Sequence, residues 1–185
     1  MVEWTRQRDE YLDEMIRLDG LGSDSAPLSC AYCGLEGRCR CLDCFNSRIM
    51  CDGCARSKHK HNPFHRIEVW TGDYFEKSLL HAVGFLMHLG HHGEPCPRSS
   101  PPSTKMTVID TSGIHTIQVA FCDCLEPCIL RRTQLLRIRW WPATIDRPQT
   151  VTTLRCLDTF LQRSLQSKLN MYDFYLAIFH LTDNT

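Results

Sequence analysis

Apolar residues at the start of the chain recur at the spacing of an α-helix. Positions seven, eight, eleven and twelve residues after Trp4 are apolar, which predicts one stripe on a helix from about residue 3 to 18. The stripe consists of Trp4, Tyr11, Leu12, Met15 and Ile16. Glycine, serine and proline between positions 20 and 27 then break the pattern, so we expect a linker and a boundary near residue 28. We expect the stripe to dock on another surface.

Alternating apolar and polar residues predict strands in the middle of the chain. One short strand is expected at residues 66–70. Two further strands, at 107–110 and 114–121, are expected to form a hairpin around the turn Thr111-Ser112-Gly113. Residues 79–89 form an apolar segment that fits either a helix or a strand.

Loops and helices follow these strands. Four prolines predict a loop at residues 90–104, and residues 134–141 are an apolar and basic stretch ended by Pro142. Apolar stripes predict two C-terminal helices, one through Leu157, Phe160, Leu161, Leu165 and Leu169 and one through Tyr172, Tyr175 and Phe179. The chain stops at Thr185 without a C-terminal glycine or a basic last turn, so we expect a truncated C-terminal end.

Composition adds a strong excess of metal-ligand residues to an otherwise ordinary chain. The 185 residues are 43% hydrophobic, enough for one domain or two small ones but not for a large multidomain enzyme. No apolar run approaches the roughly 20 residues of a membrane span, and the acidic start is unlike a signal peptide. We therefore expect no membrane partner. The 12 cysteines and nine histidines, without a secretion signal, favour metal ligation over disulfides.

The net charge of zero conceals blocks of opposite sign. Residues 1–29 and 67–130 each carry four more acidic than basic groups, whereas residues 30–66 and 131–147 each carry four more basic than acidic groups. The two basic blocks suit phosphate backbones or an acidic protein partner.

A first metal cluster is indicated by three close cysteine pairs followed by two histidines. Its eight predicted ligands are Cys30, Cys33, Cys41, Cys44, Cys51, Cys54, His59 and His65. Structural zinc takes four sulfur or nitrogen ligands in a tetrahedron, so eight ligands predict two zinc ions. We expect alternate pairs to share an ion, with Cys30, Cys33, Cys51 and Cys54 on one zinc and the other four ligands on the second. Sequential pairing remains open, and Cys39 and His61 are interpreted as bystanders.

A second cluster is indicated by Cys122 and Cys124, one residue apart at the end of a predicted strand. Their side chains leave the same face and can share an ion. The remaining ligands are expected from the loop Gly90–Cys96, which presents His91 and Cys96, with His92 as an open alternative to His91. His115 lies seven strand steps, or about 23 Å, from Cys122, which predicts a satisfied polar residue beside the turn instead of a ligand.

These motifs resemble the CxC-type cysteine-cluster domain associated with KDZ transposases, with a B-box-like zinc finger in the N-terminal part. The resemblance covers nearly the whole chain and rests on residues 61–79 (HNPFHRIEVWTGDYFEKSL), 89–97 (LGHHGEPCP), 107–124 (TVIDTSGIHTIQVAFCDC), 134–144 (QLLRIRWWPAT) and 164–185 (SLQSKLNMYDFYLAIFHLTDNT). In that family the region precedes a larger catalytic part with acidic metal-binding residues, which this sequence lacks. The resemblance therefore implies the twelve zinc ligands and no catalytic residue. Cys39, His61, His92, Cys128 and Cys156 depart from or add to the family pattern.

Catalytic interpretations fit the residues poorly. A zinc deaminase would need a second cysteine soon after Cys128, and none follows. Cys156 heads an apolar stripe, which predicts a core thiol and not a nucleophile. A nuclease set made of Asp110, Asp123, Asp146 and Asp158 is disfavoured, because each is expected in a turn or at a solvent-facing position.

The sequence thus predicts an α+β fold: a small zinc-stabilised cross-brace finger followed by a zinc-containing β-hairpin and helix module. The expected divisions are residues 1–28 for the helix and linker, 29–67 for a B-box-like double-zinc finger, and 68–185 for the CxC module. The expected function is a non-catalytic accessory region of a nuclear transposase that engages DNA or positions the transposase. Candidate contacts are Arg56, Lys58, Lys60 and Arg66, or Arg131, Arg132, Arg137 and Arg139. The alternative is a module that binds the transposase catalytic region or another protein; no small-molecule substrate is expected.

Overall fold

A computed structural model describes residues 2–22, 27–98, 103–124 and 128–182 of the chain, so the predicted linker lies partly outside the described residues. The helices are α1 (Val2–Asp19), α2 (Asp52–Lys58), α3 (Arg131–Arg137), α4 (Leu154–Ser167) and α5 (Met171–Thr182). The strands are β1 (Cys39–Cys41), β2 (Ile67–Trp70), β3 (Phe75–Ser78), β4 (Met87–His88), β5 (Thr104–Asp110), β6 (Gly113–Ala120), β7 (Trp140–Pro142) and β8 (Thr150–Thr153). The predicted α+β class is confirmed.

The chain divides into two compact units. The N-terminal unit comprises Met1–Lys58 and His65–Leu79, and the C-terminal unit comprises His59–Phe64 and Leu80–Thr185. In the N-terminal unit β1, β2 and β3 form an antiparallel sheet in that order. Its small core includes Met50, Ala55 and Ile67, which are almost fully buried.

Helix α1 forms where the apolar spacing predicted it, and the apolar stripe from Trp4 to Ile16 is exposed. The C-terminal end of the helix is held by Arg40, whose guanidinium donates to the carbonyl oxygens of Asp19 and Gly20 at 3.1 and 2.8 Å. Cations stabilise helix C-termini, where carbonyl groups lack partners. Arg40 also pairs with Glu68 at 2.8 Å and lies 3.7 Å from the centre of the Phe75 ring.

The C-terminal unit contains a five-stranded sheet in the order β4-β6-β5-β8-β7. The predicted hairpin is confirmed, because β5 and β6 pair antiparallel around Thr111 and Ser112. The alternation of the sequence places Met106, Val108 and Val151 on the buried face. On the other face, α4 and α5 pack over Ile109 and Ile114.

The stripes predicted for the last two helices are only partly correct. Leu161 and Leu165 are 52% and 72% exposed, and Tyr172, Tyr175 and Phe179 are exposed as well. The buried contacts are made by Cys156, Phe160, Phe174 and Ile178. Helical periodicity predicts that apolar residues share one side of a helix, but it does not predict which of them contact the sheet. Here only the residues that pack against Ile109 and Ile114 are buried, and the buried side of each helix is narrower than the predicted apolar stripe.

Two segments whose secondary structure the sequence did not determine, residues 79–89 and 134–141, are assigned by the structure. Residues 79–89 contain a 3-10 turn at Leu80–Val83 and then β4, so the segment is neither one helix nor one strand. Residues 134–141 begin inside α3 and end in β7.

Asp110, which was expected in a turn or at a solvent-facing position, lies at the end of β5 next to the turn and is completely buried, so a solvent-facing position is wrong for it. It accepts hydrogen bonds from the hydroxyl groups of Thr153 at 2.7 Å and Ser112 at 2.8 Å, and from the guanidinium of Arg155 at 2.5 Å. Thr153 also caps α4 by accepting from the backbone N–H of Cys156. Ser112 contacts Nε2 of His115 at 3.0 Å, so that histidine is the satisfied polar residue predicted beside the turn.

The titration of Asp110 gives a test of this buried network. Burial alone would raise its pKa, but the donors from Thr153, Arg155 and Ser112 lower it to about 2. A carboxylate whose folded pKa is depressed stabilises the fold above its unfolded pKa of about 3.9, and this stabilisation is lost as the pH falls towards 2. We expect Asp110→Asn to reduce the free energy of unfolding by about 2 kcal/mol at pH 7, measured by urea denaturation.

The difference between the two proteins should shrink as the pH falls from about 4 to about 2. A difference that stays constant across this range would show that Asp110 is not held ionised.

Candidate metal centres

Three groups of four side chains place their ligand atoms within 4.8 Å of one another. We name them site A (Cys30, Cys33, Cys51, Cys54), site B (Cys41, Cys44, His59, His65) and site C (His91, Cys96, Cys122, Cys124). Sites A and B alternate along the chain, so the sequential pairing is not the one that the structure adopts.

Site A forms where a cysteine knuckle meets the start of α2. The knuckle closes through the N–H of Gly34, which donates to the carbonyl of Cys30 at 2.9 Å while Gly34 takes a φ of 75°. Cys51 precedes α2, and its sulfur accepts from the N–H of Cys54 at 3.4 Å. The sulfurs of Cys33 and Cys51 are 3.6 Å apart.

Site B is built around His65, whose Nδ1 lies 3.5 Å from the Cys41 sulfur and 3.3 Å from the Cys44 sulfur. The neighbouring loop is held by Asp43, which accepts from the backbone N–H and from the guanidinium of Arg66, both at 2.6 Å. This clasp fixes the backbone next to the histidine ligand.

Site C depends on an unusual turn in the sequence Gly-His-His-Gly. Gly90, His91, His92 and Gly93 all have positive φ, at 86°, 44°, 53° and 86°. A histidine in this left-handed backbone conformation loses about 1–2 kcal/mol of conformational free energy, so contacts in the folded protein must hold His91 and His92 there. The turn places Nε2 of His91 at 3.1 Å from the Cys124 sulfur and 3.3 Å from the Cys122 sulfur. His91, and not His92, is therefore the histidine of the group.

Gln134 on α3 is a site residue that sequence reasoning missed. Its buried amide accepts from the N–H of Cys122 and donates to the carbonyl of the same residue, each at 2.8 Å, and it also donates to the carbonyl of Ile129. A bidentate clamp of this kind fixes the backbone of a ligand. One glutamine in a basic, apolar stretch carries no signal in the sequence that would identify this role.

The donor sets fit a tetrahedral metal and not disulfides. All twelve cysteines are free, and the sulfur–sulfur distances in sites A and C are 3.1–3.6 Å, far beyond a disulfide bond of about 2.05 Å. Four ligands around zinc, with sulfur about 2.3 Å from the ion, place neighbouring sulfurs about 3.8 Å apart. The three groups can therefore hold metal ions, and their sulfur and nitrogen donors are those that zinc prefers.

The electrostatics of the groups also suit a cation. Burial would raise the pKa of Cys30 and of Cys96, but nearby backbone N–H groups lower each to about 6. The neighbouring Cys33 thiol raises the pKa of Cys54 to about 12, and the Cys122 thiol raises that of Cys124 to about 11. In sites A and C some thiols therefore ionise readily, whereas a further thiolate beside them is disfavoured unless a cation lies among the sulfurs.

The remaining cysteines and histidines stand outside the three groups. Cys39 is buried and donates to the carbonyl of Met50 at 3.1 Å, while His61 and His92 are exposed. Cys128 is exposed, with its sulfur 3.3 Å from the carboxylate of Asp123. Cys156 is a core thiol, as predicted, and burial raises its pKa to about 11.

The predicted cationic residues fall into two sets with different neighbours. In the first set Lys60 pairs with Glu94, Arg66 pairs with Asp43, and the Lys58 ammonium lies 4.5 Å from the centre of the Tyr32 ring. Arg56 is exposed on α2. The second set consists of Arg131, Arg132, Arg137 and Arg139. None of these arginines forms an ion pair within the described part of the chain. Arg131 instead lies 4.9 Å over the Phe121 ring.

Comparison with known families identifies the region that contains site C. Residues 80–185 match the family described as a CxC2-like cysteine cluster associated with KDZ transposases, which confirms the resemblance over this span. No curated protein and no solved structure matches the chain. Among the described residues, none of the helices is both long enough and apolar enough to span a membrane.

Substitution of Gly90 tests site C. A Cβ atom at this position would lie 2.9 Å from the Cys122 Cβ, and the φ of 86° would also be strained. We expect Gly90→Ala to displace the Cys122 sulfur and, after zinc loading, to hold one ion fewer per chain than the unsubstituted protein, measured by elemental analysis. Gly72→Ala is the control, because Gly72 has a φ of 116° but no atom within 4 Å of its added Cβ. Equal zinc contents in Gly90→Ala and the unsubstituted protein would contradict the geometry of site C.

Substitution of Gln134 tests the backbone clamp. Gln134→Leu leaves the buried N–H and carbonyl of Cys122 without partners, so we expect zinc affinity at one site to fall about 10- to 100-fold. Competition with a chromophoric chelator measures the affinities, and the other two sites should not change. Gln149→Leu, at an exposed position, is the matched control. Equal zinc affinities in the two variants would show that the Gln134 side chain does not support zinc binding at site C.

Proposed function

Because the chain belongs to the CxC2-like cysteine clusters associated with KDZ transposases, we propose that it is a non-catalytic, zinc-binding accessory region that engages DNA for a transposase. In this proposal each of sites A, B and C holds one structural zinc ion through the twelve cysteine and histidine ligands. The ions supply folding free energy, on the order of 10 kcal/mol each, and leave no open position for chemistry. The chain would act in the nucleus, where its DNA lies.

The arginines of residues 131–147, which form no ion pair with any described residue, carry the DNA part of the proposal. This segment has five arginines and one acidic residue, Asp146. By contrast, Arg38, Arg40 and Arg66 in the N-terminal unit are each paired with a carboxylate. A cation already bound to a carboxylate gains less from a phosphate, because the first pair must be broken. The second basic set is therefore the better candidate for phosphate contacts.

The proposal assigns different roles to three segments of the chain. We propose that residues 1–28 serve as a helix and linker, residues 29–67 as the B-box-like double-zinc finger, and residues 68–185 as the CxC module that carries the arginines. The finger would give the N-terminal part a fixed shape, and the CxC module would make the DNA contacts.

Binding of another protein is the second candidate, and the exposed stripe of α1 favours it. Trp4, Met15 and Ile16 are more than half exposed on a helix that also carries six acidic residues against three basic ones. An acidic helix repels phosphate, so this surface would suit a protein partner such as the catalytic region of a transposase.

Salt dependence distinguishes the two candidates. We expect the zinc-loaded protein to shift a DNA duplex at low salt, with an affinity that falls steeply as salt increases. Arg137→Glu with Arg139→Glu should weaken binding at least about tenfold and reduce the slope of log K against log salt by about 2. Mobility shifts at several salt concentrations provide the measurement.

The control for this double variant makes the same change of charge elsewhere. Arg8→Glu with Arg17→Glu alters α1, where both arginines form exposed ion pairs, and should bind DNA clearly more tightly than Arg137→Glu with Arg139→Glu. Equal weakening in the two double variants would show an effect of net charge alone. Absence of any shift at low salt, with a duplex and with a single strand of equal length, would reject the DNA proposal and leave the protein-binding candidate.

A further inference from the structure

We infer that Trp141 and the arginines beside it form a stacking platform for an unpaired base of single-stranded DNA. This inference rests on the proposed function, which it narrows from DNA in general to a single-stranded segment. It adds a residue, Trp141, that phosphate contacts alone would not require.

The position of Trp141 at the edge of the sheet supports this role. Strand β7 is the outermost strand, and its two tryptophans pair with Thr153 and Thr152 of β8. Trp140 is buried, with its ring centre 5.7 Å from that of Phe64. Successive residues of a strand point to opposite faces, so Trp141 leaves the core and is 57% exposed. A large indole is thus held on a fixed backbone with its surface in solvent.

The surroundings of Trp141 are cationic. Arg139 lies two residues before it, at most about 7 Å away along the backbone, and Arg137 ends the helix α3 that packs beside β7. Arg147 follows in the exposed loop after the strand. These three arginines form no ion pair in the part of the chain described by the structure.

An exposed aromatic face next to arginines that pair with no described carboxylate matches the chemistry of single-stranded nucleic acid. Such sites combine cations that contact the backbone with aromatic rings on which bases stack. In a duplex the bases are already stacked, so an exposed indole gains contacts mainly when a base is unpaired. Addition of a protein strand at this edge is disfavoured, because Pro142 has no N–H to donate.

The other exposed tryptophan provides a matched comparison. Trp4 is 62% exposed, but it lies on the acidic helix α1. Trp4 thus presents a similar exposed indole, but the residues around it on α1 are more acidic than basic. If exposure of an indole alone were enough to bind DNA, the two tryptophans would behave alike.

The experiment uses the zinc-loaded full chain, a single-stranded oligothymidine and a duplex of equal length. We expect Trp141→Ala to weaken oligothymidine binding about 5- to 100-fold, while duplex binding changes little. Trp141→Phe should retain most of the affinity and lose the tryptophan fluorescence quenching that accompanies binding. Trp4→Ala should change neither the affinity nor the quenching, and zinc content verifies that each variant is folded.

The outcomes separate this inference from the proposed function. If duplex DNA binds but Trp141→Ala leaves oligothymidine affinity unchanged, or weakens both ligands equally, the stacking role is wrong and the proposed function stands. If neither DNA binds at low salt, both are wrong. Retained DNA affinity in Trp141→Phe together with its loss in Trp141→Ala would support stacking on an aromatic ring.

Discussion

The convergence of twelve sulfur and nitrogen ligands into three groups is the constraint on which both units depend. Cysteine side chains 3.1–3.6 Å apart resist ionising together, as the raised pKa values of Cys54 and Cys124 indicate. A divalent cation bound at such a group would remove that repulsion and join segments that are distant in sequence. Short strands and a small core offer little burial to replace such links, so in the proposed function the folded state of the N-terminal unit depends on its metal ions.

Charge is organised differently in the two units. In the N-terminal unit, Arg38, Arg40 and Arg66 each form an ion pair with a carboxylate, and Arg40 also donates a hydrogen bond to a carbonyl at the C-terminal end of α1. These arginines stabilise the structure and have little capacity left for a ligand. In the C-terminal unit the arginines of residues 131–147 have no such partners among the described residues. Local net charge was equal in the two basic blocks, so only pairing distinguishes a structural cation from an available one.

Local patterns predicted much of this molecule, and contacts between distant segments explain what they missed. Cysteine spacing was informative because two intervening residues already determine how a pair can share an ion. Strand alternation located the β5–β6 hairpin for a similarly local reason. The buried carboxylate of Asp110 and the clamp of Gln134 depend on Arg155 and Cys122, which lie 45 and 12 residues away. Neither partner is visible from local sequence, and the packed face of α4 was likewise chosen by the sheet.

The hairpin of the C-terminal unit is held at both of its ends by polar groups. At the turn, Asp110 joins β5 to Thr153 of β8 and to the start of α4. At the far end, β6 leads directly into Cys122 and Cys124 of site C. Strand β8 is paired with β5 on one side and with β7 on the other, so the anchor at Asp110 also fixes the edge strand β7. A rigid edge loses little conformational entropy when it binds a ligand, which is the property that a platform for a single base requires.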